Sequence, residues 1–401
     1  MKFFHNVISK HSQAFPPQTA PAGSQRSGPE KTEKRNRSLG FFAAGLVLAA
    51  VSGLLGLCAR TVPGFAQFYS VTVYPLLAGT FGRFCSLFPF SLSEIGLYSL
   101  CLLCICYLIL HIRYPVVLIS RAFFLCCVLL FVFTVNCGIN YYRNPFSYEA
   151  GIAAEKSSTD ELLALCRYLT NQINRSLPEI DHSGDMLDGL YPGQTQATPA
   201  PSARELAGLG KDARAAMVRL GQSYPQLDGY YPYPKPLINS RLLSVQQLCG
   251  IYSPFTIEAN YNREMPYYNI PHTICHELSH LKGFMREDEA NFIGYLACIG
   301  SDSPDFRYSG YLTGWVYAGN ALARVDPESY YDLYTKLSPQ AAQDLAWNNQ
   351  FWERFDGPVA EASTQMNDRY LKAHSQEDGV RSYGRMVDLM LAYYKDKLGE
   401  D

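Results

Sequence analysis

The chain has 401 residues, 48% hydrophobic and 17% charged, with a formal net charge of -2. This length accommodates two or three units that each bury a core, and the lack of a basic excess argues against nucleic acid as a partner. Twelve cysteines do not make a disulfide scaffold: Cys58, Cys85, Cys101, Cys104, Cys106, Cys126, Cys127 and Cys137 lie in an apolar N-terminal third, where they serve as small hydrophobes, and Cys166, Cys249, Cys275 and Cys298 show no paired spacing.

Residues 1 to 38 are rich in Ser, Gln, Pro, Gly and Lys/Arg without apolar periodicity, which predicts a disordered tail. Residues 39 to 59 then run 21 positions without a charge, about the ~20 needed to cross a hydrocarbon core. Residues 95 to 112 and 116 to 137 supply two more spans, separated by a short link around Arg113, with Arg121 close enough to a helix end to snorkel. Residues 65 to 82 are uncharged but carry Tyr, Thr, Ser and Gly, with Pro75 near the middle, and read as interfacial or re-entrant. Lys31, Lys34, Arg35 and Arg37 precede the first span and predict a cytoplasmic N-terminus. A transmembrane region over 39 to 137 with three spans then puts residues 138 to 401 on the extracytoplasmic side, with the lipid bilayer as a partner.

The C-terminal region has mostly helical signals. Residues 158 to 177 begin "STDELLALCRYL", where a Ser or Thr cap, early acids and apolar residues at Leu162, Leu163, Cys166 and Leu169 predict an amphipathic helix. Residues 184 to 203 are rich in Gly, Pro and Thr and read as a mobile loop. Leu206, Leu209, Ala213, Met217 and Leu220 mark another helix. Residues 251 to 270 alternate β-formers with Pro and Asn and predict one or two short strands, one of them an edge able to pair with an extended substrate. After Pro271 the pattern is helical to the end.

The stretch "HTICHELSHLKGFMREDEANF", residues 272 to 292, carries the chemistry. His276 and His280 are one helical turn apart in an HExxH pattern, so both imidazoles can grip one metal ion, and Glu277 is positioned to take a proton from a water that the ion acidifies. Catalytic zinc takes three protein ligands. A turn at Gly283 would bring one of the acids at 287 to 289 back toward the histidines. Glu287 opens the next helix with Asn291 on its face, whereas Glu289 shares a face with Phe292, Ile293 and Leu296. The helical wheel therefore favours Glu287 as the third ligand, with Asn291 orienting a ligand from behind, and disfavours Asp288. His272 suits a helix start or a supporting role, and Cys275 a core position.

"HELSH" followed by "EDEAN" resembles the zinc peptidases of the glutamate-ligand (gluzincin-like) class. The whole arrangement more closely resembles a bacterial family of membrane proteins that combine about three N-terminal spans with an extracytoplasmic HExxH helix and carry a domain of unknown function. The likeness covers about residues 39 to 398, including "SPFTIEANYN", "FRYSGY" and "GVRSYGRMVDL". It implies a mainly α chain, with a three-helix transmembrane bundle followed by an α-rich, zincin-like metallopeptidase domain with a few short strands. It also implies Zn2+ as cofactor, Glu287 as ligand and a bacterial cell membrane as location. Asn291 departs from the Asp common at that place. Tyr308, Tyr311 and Tyr383, in the last two quoted stretches, are candidate donors to a developing oxyanion; with 29 tyrosines in the chain, simple packing is the rival reading of each.

The function expected from these residues is a membrane-anchored zinc endopeptidase acting on a protein or peptide substrate. The alternative is a zinc-binding sensor or assembly protein of the bacterial membrane that cleaves little. Cleavage within the membrane is disfavoured, because Lys282, Arg286, Glu287, Asp288 and Glu289 crowd the motif with charge.

Overall fold

The computed structural model describes residues 29–153, 158–177, 203–373, 383–395 and 397. Three helices are long and apolar enough to cross a membrane: Asn36–Thr61, Leu92–His111 and Pro115–Tyr142. The first belongs to helix α1, Pro29–Thr61. Residues 29 to 38, expected in a disordered tail, are therefore helical. Glu, Lys and Arg there are good helix formers, and extending a helix already nucleated by its apolar part requires no new nucleus. Residues 1 to 28 lie outside the described ones.

Helices α2, Leu92–His111, and α3, Pro115–Phe133, follow, and α3 continues through a π turn and a 3-10 turn to Tyr142. Helices α1 and α3 run side by side in the same direction. Phe42 packs on Phe123 at 4.7 Å near one end, and Arg60 Nε donates to the Tyr142 hydroxyl at 2.7 Å near the other. Between α1 and α2, residues 65 to 85 alternate short α and π turns. A π turn at Tyr69–Val73 directly precedes Pro75, whose missing N–H breaks the regular ladder. Tyr74 in this segment is buried, its hydroxyl 2.9 Å from the Tyr252 hydroxyl and 2.9 Å from the Leu281 carbonyl.

Helix α4, Thr159–Ser176, opens with a capping box in which Ser158 and Glu161 satisfy each other's backbone amides. It buries Leu162, Leu165, Cys166, Leu169 and Ile173 on one face. Helix α5, Ala203–Ser223, buries Leu209, Ala213 and Met217. Most of the expected loop over 184 to 203 falls outside the described residues.

Three short strands follow: β1, Lys235–Pro236, β2, Gly250–Ser253, and β3, Glu258–Tyr261. Their order is β1-β3-β2, so β2 is an edge, antiparallel to β3 with Ile251 opposite Asn260. The parallel partner β1 was not anticipated. Glu258 of β3 ties this sheet to the membrane segments: it pairs with the buried Lys235 and accepts from the Leu92 and Ser93 amides, the latter at 2.8 Å, at the start of α2. Glu94 returns the contact, accepting from the Ile238 and Asn239 amides at 2.7 and 2.9 Å.

The rest is helical: α6, Asn269–Leu281, α7, Glu287–Ile299, α8, Pro304–Val325, α9, Pro327–Thr335, α10, Pro339–Glu353, α11, Pro358–Ala373, and α12, Tyr383–Tyr394. Four of these begin with Pro at the first position, where its missing N–H has no partner to lose. Ile274, Cys275 and Leu278 of α6 and Phe292 and Ile293 of α7 are fully enclosed, making α6 and α7 the centre of the C-terminal core.

Candidate metal centre

Two imidazoles and a carboxylate meet because α6 ends abruptly. Gly283 adopts φ +88°, its amide donates to the His280 carbonyl at 2.8 Å, and the Phe284 amide donates to the Ser279 carbonyl at 3.2 Å. This left-handed stop suits glycine and reverses the chain within a few residues. Arg286 is extended, and Glu287 is the first residue of α7. The reversal brings Glu287 Oε2 to 3.4 Å from His276 Nε2 and Oε1 to 3.5 Å from His280 Nε2. One donor atom from each of the three lies within 4.8 Å of the others.

His280 Nδ1 lies 2.8 Å from the Phe284 carbonyl. A carbonyl only accepts, so Nδ1 carries a hydrogen, and Nε2, which faces the carboxylate, is the nitrogen left to bind a metal ion once its own proton is gone. Burial disfavours a charged His280, but Glu287 outweighs it and raises the imidazolium to about 9. Burial likewise disfavours the Glu287 carboxylate, yet its hydrogen bonds to His276 and His280 hold it well below the usual range.

Glu277 projects from the next position of α6 toward β2. A Cβ on Gly250 would come within 2.5 Å of its Oε1, so only glycine leaves room for the carboxylate. Burial pushes the Glu277 carboxyl up to about 7, with the Tyr252 amide among the groups holding it down. Glu277 Oε2 is buried without a hydrogen-bond partner, as are His276 Nδ1 and Asn291 Nδ2.

The neighbouring acids turn elsewhere. Glu289 accepts from the Phe146 amide at 2.6 Å and from the Ser147 amide and hydroxyl at 3.2 and 3.0 Å, capping the one-turn helix Phe146–Glu149. Asp288 pairs with Arg286 and Arg385 at 3.1 Å each. The Asn291 side chain lines a cavity beside these groups, its Nδ2 without a hydrogen-bond partner. Its backbone carbonyl holds His272 Nε2 at 3.1 Å, and burial, helped by His276, pushes the His272 imidazolium down to about 3, so that a neutral His272 links α6 to α7.

A cavity of about 600 Å³ opens over these groups. It is lined by His276, Glu277, His280 and Glu287, by residues 250 to 252 of the edge strand, and by Phe133, Cys137 and Tyr141 of α3 and its continuation. Of the tyrosines singled out from sequence, Tyr308 and Tyr311 are not among the residues that line it. Tyr308 is buried on α8 and donates to Asp344. Tyr311 sits half-buried beside Tyr168 and Tyr393. Tyr383 opens α12, and its side chain lies outside the described ones. Tyr317, further along α8, and Tyr370, on α11, face the cavity instead. Burial raises the Tyr317 hydroxyl, with Cys249 and then Glu287 adding to the effect. Nothing local in "GWVYAG" marks this tyrosine; only the course of α8 across the cavity does.

No curated protein and no solved structure matches the chain. The family described as "Protein of unknown function (DUF3810)" matches residues 69–391, and the chain belongs to that family.

Proposed function

We propose that the protein is a membrane-anchored, zinc-dependent endopeptidase. The observation that carries this reading is the convergence of His276, His280 and Glu287, with donor atoms within 4.8 Å of one another, beside the buried, unpartnered Oε2 of Glu277. Two imidazoles and one carboxylate are a catalytic type of zinc ligand set, and the Phe284 carbonyl fixes the His280 tautomer such a ligand needs.

Zinc at these ligands would supply Lewis acidity toward a peptide carbonyl and toward the attacking water. Glu277, with its carboxyl near neutrality, takes the proton from that water and returns it to the leaving amine. Gly250 leaves space for that carboxylate, and the outer edge of β2 offers main-chain groups to an extended peptide. Tyr317, which lines the cavity and lies close enough to Glu287 to sense its charge, is taken as the donor for the developing oxyanion. The basic residues before the first span support an extracytoplasmic site on a bacterial membrane.

The test uses the full-length protein: metal content of the parent and of His276→Ala, and cleavage of a peptide library by the parent and by Glu277→Gln. The reading expects zinc in the parent, none in His276→Ala, and cleavage lost in Glu277→Gln. A parent without zinc refutes the metal site. Zinc without cleavage that depends on Glu277 favours the sensor or assembly alternative.

A further inference from the structure

The wall of the cavity and the third span are one helix. Phe133, Cys137 and Tyr141 recur at four-residue spacing along Pro115–Tyr142, and all three line the cavity. The height of this wall relative to the apolar layer can be read from α1. Its uncharged stretch, residues 39 to 59, ends at Arg60, and Arg60 donates to Tyr142. Tyr141 is therefore level with the first charge beyond the apolar stretch, and Phe133, eight residues earlier, lies about 12 Å deeper along the helix at ~1.5 Å per residue.

The adjoining β2 wall stands at the same level. The turn after β2 is held to α3 by Asn136, whose Nδ2 donates to the Pro254 carbonyl at 2.7 Å, and Tyr252 donates to the Asn136 carbonyl at 3.1 Å. Glu258 grips the first amides of α2, so the sheet also sits at the end of the second span. Large apolar side chains remain exposed on this side: Ile251 on the edge strand at 45%, Phe255 in the adjoining turn at 44%, and Leu87 in the link to α2 at 76%. A cavity bordered by Phe133 and Ile251, with Phe255 and Leu87 exposed near the start of α2, fits a cleft that receives its ligand at the bilayer surface. The edge strand selects a polypeptide over a lipid, because main-chain groups recognise an extended chain.

We propose that the substrate is the juxtamembrane stretch of another membrane-anchored polypeptide, received at the bilayer surface with its chain along β2. This rests on the endopeptidase reading and narrows its substrate class. The scissile bond lies within about ten residues of the substrate's own span, since an extended chain covers ~3.3 Å per residue and the site stands only a few helical turns from the apolar layer.

The experiment reconstitutes full-length, zinc-loaded protein into phosphatidylcholine and phosphatidylglycerol vesicles with three probes that share one randomised segment. In the first, the segment directly follows the span of a single-span reporter. In the second, it follows a Gly/Ser spacer of about 30 residues, with a root-mean-square reach of roughly 30 Å. The third is the free peptide. The first probe should be cut at least ~10-fold faster than either other probe, through its high effective concentration at the site, with cuts mapped close to the span by mass spectrometry. Equal rates for the first two probes, or a preference for the free peptide, overturn the juxtamembrane assignment and leave the endopeptidase standing. No cleavage of any probe overturns the endopeptidase reading and this inference with it.

Discussion

Gly250 and Glu277 face each other so closely that a Cβ on residue 250 would sit 2.5 Å from Glu277 Oε1. The crowded atoms are Oε1, Cδ and Cγ of the Glu277 side chain, so Gly250→Ala is relieved by that side chain changing rotamer. The three metal-site residues do not touch Gly250. Cleavage should fall about 100-fold through misplacement of the base, while zinc content and melting temperature stay at parental values. Parallel metal analysis, thermal melts and cleavage rates check this.

Glu287 and Glu289 should separate cleanly. Glu287→Ala removes a donor from the metal set and should abolish zinc binding. Glu289→Ala should keep zinc but destabilise the fold by about 1–3 kcal/mol, because it leaves the Phe146 and Ser147 amides without their acceptor in a buried place. Denaturant titrations beside metal analysis distinguish the two, and zinc lost from the Glu289 variant alone would reverse the ligand assignment.

Zinc and protons should compete for His280. Its imidazolium is raised from 6.5 to about 9 in the folded chain, because Glu287 outweighs the burial that opposes the charge. A raised value stabilises the metal-free fold below the unfolded pKa, and that stabilisation is lost as pH rises from about 6.5 through about 9. Zinc must displace this proton, so affinity should increase with pH up to about 9 and binding at neutral pH should release protons. Calorimetry in buffers of different ionisation enthalpy measures the release. Free zinc at 100 times its Kd should stabilise the fold by ~2.7 kcal/mol, and a chelator should reverse the gain.

Two tyrosines on α8 should respond differently to loss of the hydroxyl. Tyr317→Phe should lower kcat by roughly 100-fold with zinc retained, as for removal of an oxyanion donor. Tyr308→Phe should leave catalysis at the parental rate and cost about 1 kcal/mol of stability, since the buried Asp344 carboxylate loses one donor and keeps Gln340. Steady-state kinetics and thermal melts on both variants decide the point.

The convergence of His276, His280 and Glu287 was legible because each step of it is local. HExxH sets two imidazoles one turn apart, Gly283 is suited to the φ that stops the helix, and the first residue of the following helix returns to the histidines within a few positions. The spans were legible from uncharged length alone, although α1 also takes in polar residues that composition assigned to a tail. The cavity walls were not legible, since Tyr317 and Tyr370 reach the cavity through the packing of distant helices, and 29 tyrosines give no local reason to prefer these two. The strand β1 was hidden for a related reason: Lys235 and Pro236 pair with β3 because a buried ion pair places them there. Asn291 holds His272 through its backbone carbonyl, which a side-chain comparison of Asn with Asp does not weigh.

The ion pair between Lys235 and Glu258 bears on where the chain can be cut. Together with the Leu92 and Ser93 amides and the Cys85 carbonyl, 2.7 Å from Lys235 Nζ, it is a polar knot buried between the sheet and the segments that precede residue 138. Expressing residues 138 to 401 alone would strip this pair of the Leu92 and Ser93 amides and the Cys85 carbonyl, uncover the place that Tyr74 fills beneath Tyr252 and Leu281, and remove Phe133 and Cys137 from the cavity lining. The apolar N-terminal helices and the cavity thus share one folding unit, and a soluble truncation would assay a different object.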